Sequence, residues 1–246
     1  MSELDLNKLG AEEAENEEAV VFVPPSASPI AGLQGEFGAG DVRYPYFSII
    51  QGVGPASALF PRDHGNFIYA GSLLVPKPVL MSFYGVTKRY RQNLRYDPTG
   101  PRPKTWESAA KVLEDGGNLK EFVSAGTDDN NYVPEGIAYI CLFVPKGKKS
   151  WASELDLALT NGTELMVPAI WMLQGTRYRS VVATLLGASS KLRRENQGRE
   201  LAHLRYSLDT IHAKVGSNFI YSPVLTRVAN PNSEATVALL TENFGG

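Results

Sequence analysis

The hydrophobic pattern along the chain is a series of short apolar runs, most of them bounded by glycine or proline. Runs of this length that are rich in β-branched and aromatic residues are typical of strands in an all-β sheet or barrel. We therefore predict about eight strands, separated by turns and loops. They fall at residues 46–50, 67–69, 73–75, 79–86, 137–144, 165–173, 202–208 and 218–221 with 224–228.

Two segments have a helical pattern instead. After a proline-rich loop at 97–103, Thr105 is placed to cap a short helix that runs through 109–113 and ends at Gly116-Gly117. The second predicted helix covers 178–195, with an apolar face opposite a basic one. The apolar face consists of Val181, Val182, Leu185, Leu186 and Leu192. The expected fold class is therefore mainly β, an elaborated barrel like the oligonucleotide-binding (OB) fold with two helical insertions.

Charge and composition divide the chain into a leader and a body. Residues 1–32 are rich in Glu, Ala and Pro, so we predict a flexible acidic leader, followed by one β-rich domain at 33–246. The formal net charge is −2, but residues 1–42 hold nine acids and one base, so residues 43–246, with 23 bases and 17 acids, carry +6. Such a leader either competes with a polyanion for the basic body or is only a solubilising tail.

The sequence lacks the signals of a membrane, secreted or catalytic protein. No apolar run approaches the roughly 18 to 20 residues that a bilayer requires, and the single cysteine, Cys141, lies within an apolar run typical of a buried strand. The three histidines lack metal-ligand spacing, and Asp128-Asp129 is more typical of a turn than of an ion site. We therefore expect a cytoplasmic protein that is not an enzyme and has no metal or cofactor.

Residues 79–106 interleave cations with aromatic rings. Guanidinium and ammonium groups neutralise phosphates, while exposed rings stack on unpaired bases, each stack being worth about 1–3 kcal/mol whatever the base. This pattern favours single-stranded nucleic-acid binding; the alternative is a half-buried ribbon whose rings face a core and whose cations face water. The candidate contacts are Lys88, Arg89, Tyr90, Arg91, Arg95, Tyr96 and Trp106, with Lys148, Lys149 and Trp151 as a second set.

Several segments resemble the single-stranded-DNA-binding proteins of bacteriophages that have an OB barrel. The segments are residues 38–52, reading GAGDVRYPYFSIIQG, then Tyr96-Asp97-Pro98, Trp106, Gly116-Gly117 and residues 204–208. Better-known members of this class end in an acidic tail with an aromatic tip that recruits replication partners. Here only Glu242 and Phe244 stand near the C-terminus, and the acids are concentrated in the leader instead.

The resemblance implies a non-enzymatic protein of phage DNA replication or recombination, active in the host-cell cytoplasm. Its ligand would be single-stranded DNA, bound with little sequence preference, and its partners would be replication or recombination proteins; whether it forms a homo-oligomer stays open. Two alternatives remain. A strand-annealing recombination protein would share the chemistry but assemble into rings or filaments, and a virion or scaffold protein would use the β-rich body as an assembly surface.

Overall fold

The computed structural model describes residues 44–52, 55–95, 97, 99–121, 126, 128–145, 157–195, 200–215 and 218–244. The predicted leader at 1–32 lies outside these residues, as do Tyr96, Lys148, Lys149 and Trp151 of the candidate contacts. Within the described ranges, no helix combines the length and the apolar character that a membrane crossing requires.

Eleven strands of one sheet and four α-helices are found in the described part of the chain. The strands are β1 Tyr46–Ile49, β2 Phe67–Tyr69, β3 Leu73–Val75, β4 Val79–Gln92, β5 Thr105–Trp106, β6 Asn118–Leu119, β7 Asn131–Val144, β8 Leu159–Thr160, β9 Leu165–Gln174, β10 Tyr206–Val215 and β11 Asn218–Arg227. The helices are α1 Pro55–Leu59, α2 Ala109–Glu114, α3 Thr176–Arg194 and α4 Glu234–Phe244, and a 3-10 turn at Leu201–His203 precedes β10.

The two long strands β4 and β7 form the centre of the sheet, whose order is β11-β10-β4-β7-β9-β1-β2-β3. β4 and β7 are antiparallel and paired over almost their whole length, with a register shift between Phe83 and Gly85 of β4. β1 runs parallel to β9, and the short strands β5, β6 and β8 pair with the ends of β4, β7 and β9. The register shift in β4 is a β-bulge, which increases the local twist of the strand and so helps the sheet to curl.

Both faces of the sheet are buried against helices. Ile140 and Leu142 of β7 point into a large core that includes residues of α3, while the alternating residues Cys141 and Phe143 point into a smaller core that includes α4. A strand that is buried on both faces has a continuous apolar sequence rather than an alternating one. This is why residues 137–144 were recognisable as a core strand.

The sheet curls far enough for its two ends to make contact. Gln51, which follows β1, donates from Nε2 to the carbonyl of Tyr221 in β11 (2.8 Å) and accepts from the N–H of the same residue (2.9 Å). One side-chain amide therefore makes the two hydrogen bonds that a neighbouring strand would make. Nearby, Thr210 of β10 donates from Oγ1 to the carbonyl of Gly65, ahead of β2, at 2.7 Å. These contacts give the open strand order a barrel-like form.

The predicted mainly β, barrel-like class with helical insertions is confirmed, and several details are corrected. The described residues contain four α-helices rather than two, because Pro55–Leu59 forms the unpredicted α1 and the segment from residue 230, predicted as a tail, includes α4. Thr105 belongs to β5, and Ser108 caps α2 by accepting from the backbone N–H of Lys111 at 3.3 Å. Leu186, predicted on the apolar face of α3, is 62% exposed.

Candidate nucleic-acid interface

Strand β4 distributes the candidate contacts over two faces of the sheet. Tyr90 is directly opposite Trp106 of β5, so their side chains share a face, and Lys88 joins them because residues two apart in a strand point the same way. Arg89 and Arg91 alternate with these residues and lie on the other face. The predicted cluster is therefore two groups of side chains with different surroundings.

The first group, which we call the β4 ring patch, consists of Lys88, Tyr90, Trp106 and Tyr178 of α3. Nζ of Lys88 lies 5.3 Å from the centroid of the Tyr90 ring. The Tyr178 ring packs on the backbone of Gly136, opposite Lys88, where an added β-carbon would come within 3.2 Å of it. All three rings are partly exposed, so the patch combines accessible aromatic surface with an exposed cation.

Backbone and side-chain hydrogen bonds hold Trp106 beside Tyr90. Gln92, the last residue of β4, donates its N–H to the carbonyl of Lys104 (2.9 Å) and accepts from the Lys104 N–H through its side chain (3.1 Å). Lys104 also pairs with Asp115 at 3.1 Å. The indole Nε1 of Trp106 is buried and has no hydrogen-bond partner within the described part of the chain. The aromatic ring, not the N–H, is therefore what this residue offers to a ligand.

The Tyr178 hydroxyl is held in its neutral form. Burial raises the pKa of this group most strongly; Lys88 lowers it, while Tyr90 and Glu121 raise it further. A neutral hydroxyl adds no negative charge to the patch. The Lys88 ammonium group supplies a positive charge beside the rings, as phosphate binding requires, and the nearby Glu121 carboxylate is paired with Arg179 at 3.3 Å.

On the opposite face, Arg89 belongs to a buried polar network. Glu135 is only 1% exposed, and its carboxylate accepts from Nε of Arg89 at 2.5 Å and from the amide of Gln174. A carboxylate at this depth requires such partners, because removing an ionised group from water costs several kcal/mol. Arg89, predicted as a phosphate contact, is therefore paired with a buried carboxylate in this structure.

Arg91 lies near the end of β4, on the face opposite the ring patch, and Arg95 follows the strand. Arg91 lines a pocket of about 130 Å³ on the face of Arg89, together with Glu121 and Glu135. The wall therefore holds two carboxylates beside the Arg91 guanidinium, and these carboxylates are paired with Arg89 and Arg179. Arg95 is exposed, and its Cβ comes close to Gly126.

Other candidate chemistry is structural in the described residues. Among them, no group of three His, Cys, Asp or Glu residues is placed to hold a metal ion. Asp128 accepts from the N–H of Asn130 (2.9 Å) through its side chain and from that of Asn131 (3.1 Å) through its carbonyl, so the turn predicted there is confirmed. Cys141 is fully buried, and this burial raises the pKa of its thiol, as predicted for an inert core residue.

Three residues important to this region were not predicted from the sequence. Tyr178 is brought to the patch from α3, and Glu135 neutralises Arg89 across two strands; both contacts are non-local. Phe244 is 6% exposed, and its ring lies 4.9 Å from Tyr44 and 5.6 Å from Tyr84, centroid to centroid. The aromatic residue near the C-terminus is therefore part of the core and does not resemble the free tip of the phage proteins.

Comparisons with known proteins identify no relative. The chain matches no protein-family profile, no characterised protein in sequence and no solved structure at a significant level.

Proposed function

We propose that this protein binds single-stranded nucleic acid, foremost single-stranded DNA, with little sequence preference and through the β4 ring patch. The observation that carries the proposal is the grouping of three partly exposed rings around Lys88. Rings on neighbouring strands and a packed helix are held in place before a ligand arrives. Stacking on such rings therefore loses little conformational entropy.

The chemistry of the patch favours single strands over duplex. In a duplex, the bases are stacked on one another and leave few faces for a protein ring, whereas every unpaired base has a free aromatic face. Lys88 adds a phosphate contact, and the net charge of +6 on residues 43–246 attracts a polyanion over longer distances. Stacking and phosphate contacts do not distinguish one base from another, so sequence preference is weak.

The proposal extends to a biological role in phage DNA replication or recombination, in the cytoplasm of the host. The sequence resemblance described above supports this role. A strand-annealing protein would use the same contacts, and it is separated from a coating protein by its assembly into rings or filaments on DNA. Electron microscopy of the protein with single-stranded DNA distinguishes the two.

The stacking part of the proposal is tested by Tyr90→Ala in a fluorescence anisotropy titration with a single strand of about 30 nucleotides, longer than the site of one barrel. We expect affinity to fall about 5- to 150-fold with little change in salt dependence. The matched control is Tyr46→Ala, the same substitution at a tyrosine of β1 that is 62% exposed and lies outside the patch. Equal affinities for the two variants would refute the assignment of the patch.

The charge part is tested by Lys88→Gln in the same titration at several salt concentrations. We expect the slope of log affinity against log salt to flatten by about 0.7, the value for one phosphate of a single strand. Lys191→Gln is the control, because this exposed lysine lies on α3 about 20 Å from Tyr178 at 1.5 Å per residue. An unchanged slope for Lys88→Gln would show that Lys88 does not contact a phosphate of the bound strand.

A further inference from the structure

A second pocket lies between the start of α3 and the β10–β11 hairpin, and its volume is about 350 Å³. This volume is at the lower end of the range for small-molecule sites. The wall includes Gln51, Gly175, Arg177, Phe219 and Tyr221. None of the described residues that line it is acidic, in contrast to the pocket beside Arg91.

Arg177 brings a partly desolvated positive charge to this pocket. Burial disfavours the charged guanidinium and lowers its pKa, and within the described residues the guanidinium has no hydrogen bond or ion pair. Arg205 is different, because its guanidinium donates to both carboxylate oxygens of Glu164, at 2.8 and 2.9 Å. A charge that is withdrawn from water without such a partner is stabilised by a bound anion.

Aromatic rings form the other wall of the pocket. Phe219 is 64% exposed, whereas Tyr221, the other aromatic residue of β11, is partly buried. His212 lies 5.1 Å from Phe219 and 4.9 Å from Tyr221, centroid to centroid, and is nearly parallel to Tyr221, with an interplanar angle of 23°. The three rings form a continuous aromatic surface, on which Phe219 and His212 are exposed and Tyr221 is partly buried.

The wall is fixed in position by the contacts that join the ends of the sheet. Gln51 holds the backbone of Tyr221 through two hydrogen bonds. The Tyr221 ring also lies so close to Gly65 that an added β-carbon there would be 2.5 Å from it. A preformed wall of this kind reduces the entropy that a ligand loses on binding.

We infer that this pocket captures one unpaired nucleobase together with its phosphate, with the base stacked on Phe219 and the phosphate paired with Arg177. The inference rests on the proposed function and names a second contact for the same strand. Arg177 and Tyr178 are consecutive residues of α3, so a strand that crosses the β4 ring patch lies near the pocket. An exposed ring, a guanidinium that has no partner among the described residues, and a wall whose described residues include no acid together fit a nucleotide better than a purely apolar ligand.

The first test uses the titration with a 30-nucleotide strand, a length of about two or more barrel sites. Phe219→Ala should lower affinity about 5- to 150-fold, and Phe219→Tyr should retain it, because a tyrosine ring also stacks. Arg177→Gln should flatten the salt slope by about 0.7. Tyr46→Ala and Lys191→Gln serve as ring and charge controls. If the strand binds and both pocket variants behave as wild type, the pocket inference is overturned while the proposed function stands.

The second test separates the pocket from the strand as a whole. Deoxyadenosine 5′-monophosphate, deoxyadenosine and inorganic phosphate are each titrated at millimolar concentration into the full-length protein and followed by NMR. We expect the monophosphate to shift resonances of Phe219 and Arg177 more than either fragment, and Phe219→Ala to abolish the shifts. No shift with the monophosphate overturns the inference. Shifts with the monophosphate, but no binding of any oligonucleotide, would support the pocket and contradict the proposed function.

Discussion

Replacing Arg89 by alanine should destabilise the fold far more than it weakens nucleic-acid binding. The substitution leaves the carboxylate of Glu135, which is 1% exposed, without its charged partner. Breaking a buried ion pair in this way costs about 3–5 kcal/mol. Arg89 is itself 29% exposed and the Gln174 amide remains as a donor, so we expect about 2–3 kcal/mol.

Urea unfolding followed by circular dichroism measures this loss directly, and a thermal melt of the same variant gives the change in Tm. For a protein of this size, 1 kcal/mol corresponds to a change in Tm of about 2–4 °C, so Tm should fall by about 4–12 °C. Arg91→Ala is the matched control on the same face of β4, and its effect on stability should stay within about 1 kcal/mol. The double variant Arg89→Met with Glu135→Leu should recover most of the stability, because it leaves no unpaired buried charge.

The reasoning is refuted if Arg89→Ala unfolds like wild type but loses affinity for single strands. That result would assign Arg89 to the nucleic-acid interface. It would also show that the stability of the fold does not depend on the ion pair between Arg89 and Glu135. The folded fraction of the variant, measured well below its Tm, should instead bind a single strand with a nearly unchanged salt slope.

Three further outcomes are expected. Gln51→Ala removes both side-chain hydrogen bonds to Tyr221, so the free energy of unfolding should fall by about 1–3 kcal/mol and the Tyr221 amide should exchange faster with solvent; unchanged exchange would show that the sheet does not depend on this contact. Phe244→Ala should cost about 3 kcal/mol in urea unfolding, because its ring packs among buried aromatic residues; a free aromatic tip would leave stability unaltered. Deleting residues 1–32 removes seven acids and one base, so affinity for single strands should rise at low salt and the gain should fade with screening; equal affinity at low salt would make the leader a solubilising tail.

Core strands were predictable because their apolar pattern is local. Residues 137–144 are apolar on both faces, and the segment is a central strand of the sheet. β4 extends to Gln92, beyond the predicted end at residue 86. The prediction stopped early because the second half of the strand is polar and has no hydrophobic period. Helix α4 was missed because only a few of its residues are buried, although Ser233, whose Oγ accepts from the N–H of Thr236 at 3.2 Å, is a cap residue at its start.

The candidate site was predictable only in part. The sequence prediction grouped Arg89 and Arg91 with Lys88 and Tyr90, whereas the alternation of β4 places the two pairs on opposite faces, because neighbouring residues of a strand point in opposite directions. Strand register places Glu135 beside Arg89, and the packing of α3 places Tyr178 at the ring patch. A local sequence pattern does not predict contacts between residues that are distant in sequence.

The central claim is that this protein binds single strands through stacking and phosphate neutralisation, and the most direct test uses the wild-type protein. Fluorescently labelled single-stranded and duplex DNA of equal length, about 30 nucleotides, are titrated at two salt concentrations. We predict micromolar or tighter binding of the single strand at low salt, clear preference over the duplex, and a steep loss of affinity as salt rises. No binding of the single strand at low salt, or equal binding of the duplex, would contradict the claim.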